Sequence, residues 1–142
     1  MDFSYVSAIS LAGMDVERAR LDVAAINLAN VHTTRAAYGG PFKPLKAFGV
    51  STQKFSPAYS AIERSMMSVP DVRIQQSTVL PRFVQEPGHP DANEKGYVAY
   101  PGIDTVAEMV NMMTAVRSYE ANVVAMNAAK AMAMKALEIG GV

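Results

Sequence analysis

The chain of 142 residues has no cysteine and no tryptophan, and its formal net charge is zero. Without cysteine there are neither disulfides nor thiolate metal sites. A balanced charge sets up no basic field for nucleic acid or anionic lipid, so neither class of partner is expected. No run of about 18 uncharged apolar residues is present, the length a bilayer-spanning helix needs, so no membrane insertion is expected. The opening Met1-Asp2-Phe3-Ser4 lacks a positive n-region, and Asp15, Glu17, Arg18 and Arg20 interrupt the apolar positions that follow. A cleaved signal peptide is therefore not expected, and a chain that leaves the cytoplasm would use another route. Proline is missing from both ends, since all eight prolines fall between residues 31 and 102, and residues 103 to 139 contain no glycine either.

Those proline-free ends read as long helices. From 103 to 139, apolar residues recur at a 3-4 spacing as Met109, Met112, Val116, Tyr119, Val123, Met126, Ala133 and Leu137, broken only by Lys130. A second row at the same spacing is made of smaller side chains, Thr114, Ser118, Ala121, Ala125 and Ala128, and ends in Met132. Sustained heptad spacing calls for a partner helix, because a lone helix cannot hide a narrow apolar seam. At about 1.5 Å per residue this helix is on the order of 50 Å long. Residues 3 to 30 repeat the pattern, with one row through Leu11, Met14, Leu21, Ala25 and Leu28 and another through Val6, Ile9, Gly13, Val16 and Val23. Apolar residues reach 50% of the chain, much of it Ala and Met, a mixture suited to extended helix packing.

The C-terminal helix has a marked start. Thr105-Val106-Ala107-Glu108 carries capping-box spacing, with Asp104 as the alternative cap. Acidic Asp104 and Glu108 at the start and basic Lys130 and Lys135 toward the end complement the helix dipole, and Gly140-Gly141 supplies the stop. Between the helices, prolines and glycines rule out long helical runs. Strand candidates lie between those breakers at 47 to 55, 69 to 78, 80 to 85 and 96 to 100. The expected fold is α+β and mainly α. An N-terminal helix and motif (1–34) and a long C-terminal helix (103–142) pack as a coiled-coil-like pair, with an irregular β-rich insert (35–102) between them.

Both ends also resemble a known group. Ala24-Ala25-Ile26-Asn27-Leu28-Ala29-Asn30-Val31-His32-Thr33-Thr34 resembles the N-terminal motif of the axial proteins of the bacterial flagellum, the rod, hook and hook-associated proteins. The stretch from Val110-Asn111-Met112-Met113 through Arg117-Ser118-Tyr119-Glu120-Ala121-Asn122-Val123 to Lys130-Ala131-Met132 and Ile139-Gly140 is similar to their C-terminal motif. Glu86-Pro87-Gly88-His89-Pro90-Asp91-Ala92-Asn93-Glu94-Lys95-Gly96-Tyr97-Val98, followed by Pro101-Gly102-Ile103-Asp104, resembles the proximal rod subunits within that group. Ile26 and Val31-His32 depart from the usual motif, and residues 35 to 80 match nothing recognised.

The resemblance implies a non-enzymatic structural subunit of the basal-body rod, needing no cofactor. It would be exported through the flagellar type III apparatus and would assemble in the periplasm into a tubular shaft that transmits torque for motility. The implied partners are other rod subunits, rod-base proteins and copies of itself. Heterologous contacts between such helices generate rings or helical filaments. Another axial role in the same machine is the alternative, and an unrelated helical binding module or small hydrolase is a third.

The chemical signals are weaker than the assembly signals. His32 and His89 lie in separate loops without a partner acid at metal-site spacing. Asp91, Asn93 and Gly96 echo a calcium loop, but Lys95 stands where an oxygen ligand belongs. The cluster Asp15, Glu17, Arg18, Arg20 and Asp22 reads as a solvated or intersubunit ion-pair network. The seam residues Leu11, Met14, Leu21, Leu28, Met109, Met112, Val116, Tyr119, Val123, Met126 and Leu137 are the expected assembly surface. Arg117 is expected to meet a carboxylate or backbone carbonyls of a neighbouring chain, because a charge on an apolar helix needs pairing or exposure. Glu120 shares its motif. Asn27, Asn30, Asn122 and Asn127 are candidates for amide hydrogen bonds between helices, which fix register.

Overall fold

A computed structural model describes residues 3–51 and 70–140. Helix α1 spans Phe3–Ala29 and helix α2 spans Thr105–Gly140. Between them lie strands β1 (Leu45–Ser51), β2 (Pro70–Gln76), β3 (Arg82–Gln85) and β4 (Tyr97–Tyr100). Both helices begin and end within a few residues of the expected stretches, β2, β3 and β4 fall inside their candidates, and β1 starts at Leu45, two residues before its candidate at 47; the mainly helical α+β class holds. The parts of the strand candidates at 52 to 55 and at 69, like Pro57, lie outside the described residues.

The helices pack against each other in opposite directions. Asn27 near the end of α1 bonds Glu108 near the start of α2, while Gly13 abuts Asn122. Each pair lies fourteen positions along from the other on its own helix, two heptads. Continuing that register sets Phe3 level with about Met132, so α2 runs past the described start of α1 by roughly two turns. That overhang includes Met134, Leu137 and Ile139, all exposed.

The buried stripe of α2 follows neither of the two rows alone. Ala115 and Ala129 are buried, and Glu108, Met112, Ser118, Asn122, Val123, Met126 and Ala133 are half-buried, while Met109, Val116, Tyr119 and Leu137 are exposed. The stripe thus runs between the bulky row and the small row, sharing Met112, Val123, Met126 and Ala133 with the first and Ser118 with the second. On α1 the buried positions are Ser10, Ala12, Met14, Val16, Val23, Ala24 and Asn27, whereas Leu11 and Ala25 are exposed. The physical reason is that apolar residues occur all round both helices, so periodicity alone does not say which side meets which neighbour.

The insert forms two separate antiparallel ribbons. In the first, Leu45 stands opposite Gln76 and Ser51 opposite Pro70. This ribbon lies against α1, since a Cβ added to Gly49 would fall 3.1 Å from Val16 Cγ2. In the second, Arg82 pairs with Tyr100 and Gln85 with Tyr97. Side chains alternate across it: Val84 and Val98 point inward, Val98 wholly buried, while Phe83 and Tyr97 point out. Gly102 then lets the chain cross the preceding strap, because a Cβ there would lie 2.3 Å from Leu80 O. No other residue fits that approach.

Candidate assembly surface

The best-defined polar node in the molecule is built on Asn27, which is wholly buried. Its Nδ2 donates to Leu45 O at 2.9 Å and to Glu108 Oε1 at 3.1 Å, and its Oδ1 accepts from Leu45 N at 2.8 Å. The side-chain amide thus pairs with β1 as a neighbouring strand would and also reaches the first turn of α2. One residue joins α1, β1 and α2.

This node changes the start of α2. Asp104 Oδ1 accepts from Val106 N at 2.9 Å and from Ala107 N at 3.3 Å, so Asp104 is the N-cap. The capping box read from Thr105 and Glu108 does not form. Glu108 points instead to Asn27, a partner 81 positions away that no local motif signals.

The other predicted polar residues divide. Asn30 closes its own helix end, with Nδ2 donating to Ile26 O at 2.8 Å and Oδ1 accepting from Thr33 Oγ1 at 3.1 Å. Asn122 is half-buried over Gly13, with its Nδ2 2.8 Å from where a Cβ on that glycine would stand. Asn127 is exposed. Arg117 is not a lone charge: its Nη1 lies 2.9 Å from Glu120 Oε2, and both side chains are exposed on the outer face of α2. The desolvation that motivated a partner in a neighbouring chain does not arise inside this subunit. In the α1 charge cluster, Arg20 pairs with Glu17 at 3.1 Å, and Asp15, Arg18 and Asp22 are exposed.

A second node ties the loop after α1 to the loop between β3 and β4. Asp91 Oδ2 accepts from Thr34 Oγ1 at 2.8 Å, and its Oδ1 accepts from Arg35. The Thr34 bond, with Arg35 and His89 nearby, holds the Asp91 carboxyl below the usual carboxylate range despite some desolvation. Tyr100 stands edge-on to both His32 and His89, with ring centroids 6.2 and 6.4 Å away. Its hydroxyl donates to Glu86 Oε2 at 2.9 Å, and that bond, with desolvation and the carboxylate charge, raises the phenol. Both histidines therefore sit in loop packing, and His89 Nδ1 accepts from Asp91 N at 3.0 Å. Asn93 Oδ1 accepts from Lys95 N and Tyr97 N, each at 2.9 Å, and Gly96 at φ 76° completes that turn. The echo of a calcium loop is a backbone turn. Beside it an open cleft of about 350 Å³ is lined by Thr34, Arg35, Pro41, Pro90, Asp91 and Ala99. Among the described residues no three His, Cys, Asp or Glu side chains group to hold a metal ion.

The seam residues also divide. Met14 is buried inside the subunit, and Leu21, Leu28, Met112, Val123 and Met126 are half-buried. Leu11, Met109, Val116, Tyr119 and Leu137 are exposed, and so are Val106, Val110, Met113, Val124, Met132, Met134 and Ile139, which the seam did not include. Apolar surface of this extent along one helix marks an interaction face. Sequence reasoning missed Glu108 and Asp91 as nodes, since their partners come from remote segments, and missed Ala115 and Ala129, whose heptad spacing was available.

A paired helix frame with its largest apolar faces open defines a structural subunit that acts by packing. Residues 94–139 match the family described as flagellar basal body rod FlgEFG protein, C-terminal. The flagellar basal-body rod protein FlgC of Bacillus subtilis is 42% identical over 141 residues, covering 93% of this chain and 94% of the relative. FlgC of Escherichia coli O157:H7 is 36% identical over 132 residues, covering 93% of each chain. FlgC of Aquifex aeolicus is 35% identical over 133 residues, covering 92% and 91%. The chain belongs to the FlgC family of flagellar basal-body rod proteins.

Proposed function

We propose that this chain is a structural subunit of the flagellar basal-body rod, and that its work is assembly. The observation that carries the reading is the open apolar side of α2 together with its overhang, where Leu137 is 76% exposed. Exposed leucines, valines and methionines in an unbroken helical array are stabilised by neighbouring helices. The faces of α1 and α2 not used in pairing contact copies of the subunit, other rod subunits and rod-base proteins, which together form the tube wall that carries torque in the periplasm. The subunit reaches that place through the flagellar type III apparatus. In this reading 1–34 and 103–142 are the assembling parts and 35–102 the insert that braces them. Exposed Leu11, Met109, Val116, Tyr119 and Leu137 meet neighbours, as do the outward-facing Arg117 and Glu120. No helix among the described residues is long and apolar enough to cross a membrane.

Changing Leu137 and Ile139 together to Glu tests this. The purified variant keeps the helical content of the parent chain, yet is absent from isolated basal bodies, and cells relying on it do not swim. Normal incorporation would remove the assembly role of the overhang.

A further inference from the structure

From the geometry we infer that Asn27 and Glu108 are positioning residues that set the rotational phase of α2 against α1, and thereby which faces are left for neighbours. The inference concerns pairing inside one chain and stands whether or not that chain enters a rod. Hydrophobicity alone does not choose the phase. Met109, Val116 and Tyr119 are as apolar as the half-buried Met112, Val123 and Met126, yet they stay exposed while the small or polar Ala115, Ser118, Asn122 and Ala129 are turned in. A polar constraint decides between the alternatives.

Asn27 supplies it. The residue is wholly buried and two of its bonds are used on Leu45, which leaves one Nδ2 hydrogen facing α2. Rotating α2 to present its bulky row would carry Glu108 away and leave that donor unmatched, which is costly in a buried place. A hydrogen bond to a carboxylate is also stronger than a neutral one. Two heptads away, Asn122 sits over Gly13, where the absence of a Cβ makes room for it. Polar side chains at single seam positions fix register in paired helices at some loss of stability. Here two such positions, equally spaced on both helices, agree on one phase.

Because the chain has no cysteine, introduced thiols report the phase, and since each pair alters the Gly13–Asn122 contact, the effect of Glu108 is read as the change its substitution makes within the same pairs. A Cβ on Gly13 falls 3.1 Å from Asn122 Cγ, so cysteines at 13 and 122 are within bridging reach. The pair Gly13→Cys with Val123→Cys reports the phase that turns the bulky row inward. In the otherwise unchanged full-length chain under mild oxidation, 13–122 bridging exceeds 13–123 bridging by about tenfold or more. Glu108→Leu lowers that ratio by about tenfold while the total bridged fraction holds, and Glu108→Gln, which keeps an acceptor oxygen, leaves it within about twofold. An unchanged ratio in Glu108→Leu overturns the inference. So does a parent chain with no preference between the pairs. A fall in total bridging without redistribution also overturns it, since the pair would then stabilise the fold without selecting a phase.

Discussion

Asp91 shows how a single side chain can hold two loops that are remote in sequence. It accepts from Thr34 and Arg35, residues that follow α1, while it sits in the loop before β4. Because its folded pKa is depressed, its contribution is present above the unfolded carboxylate value and is lost as pH falls through the folded one. Acid below about pH 4 is therefore expected to loosen this junction, read as faster amide exchange at the bonded N–H groups on either side of it, Ala36 and Ala92. In Asp91→Asn the acid-dependent step disappears; equal acid sensitivity in that variant would assign the effect to other groups. Tyr100 has the opposite sign. Its phenol is raised by Glu86, so its contribution is complete below the ordinary tyrosine value and is lost only as pH rises through the folded one.

Among the elements, the start of α2 separates what the sequence discloses from what it conceals. A helix beginning near 105 is evident from Pro101-Gly102 before it and from the unbroken run after it. The choice of cap is not, because Asp104 and Thr105 are adjacent candidates and the decision falls to Asn27, which draws Glu108 out of any capping box. Asp104→Ala should therefore destabilise the fold by about 1 kcal/mol, and Thr105→Ala by much less, in denaturant titrations. Equal losses would restore Thr105 as the cap. The four strands were legible for the same reason as the helices: proline and glycine bound the short stretches in which they lie. The phase of α2 was not legible. Its apolar residues surround the helix, so the rule that apolar faces turn inward has several solutions, and the one realised depends on a bond between positions 27 and 108.

For the molecule as a whole, neighbouring positions on α2 are expected to answer to different demands. Ala115 is 1% exposed against the helix pair, whereas Met113, two residues earlier on the opposite side, is 70% exposed. Lysine at 115 must carry its stem and charge into a site with room for a methyl group. Overpacking and desolvation together cost about 2 kcal/mol or more, so the purified chain should unfold at visibly lower denaturant. Lysine at 113 meets only solvent in the single subunit and should shift stability by less than about 0.5 kcal/mol. On the proposed reading, in which neighbours cover that face in the rod, the same lysine would be desolvated there and incorporation into basal bodies should fail. Arg117→Ala gives a milder version, since it removes an exposed pair with Glu120 worth at most about 0.5 kcal/mol within the chain. If Met113→Lys assembles as well as the parent, the outer face of α2 meets water in the finished structure. Neighbours would then have to be sought along the α1 side, through Leu11, Ile9 and Ile26.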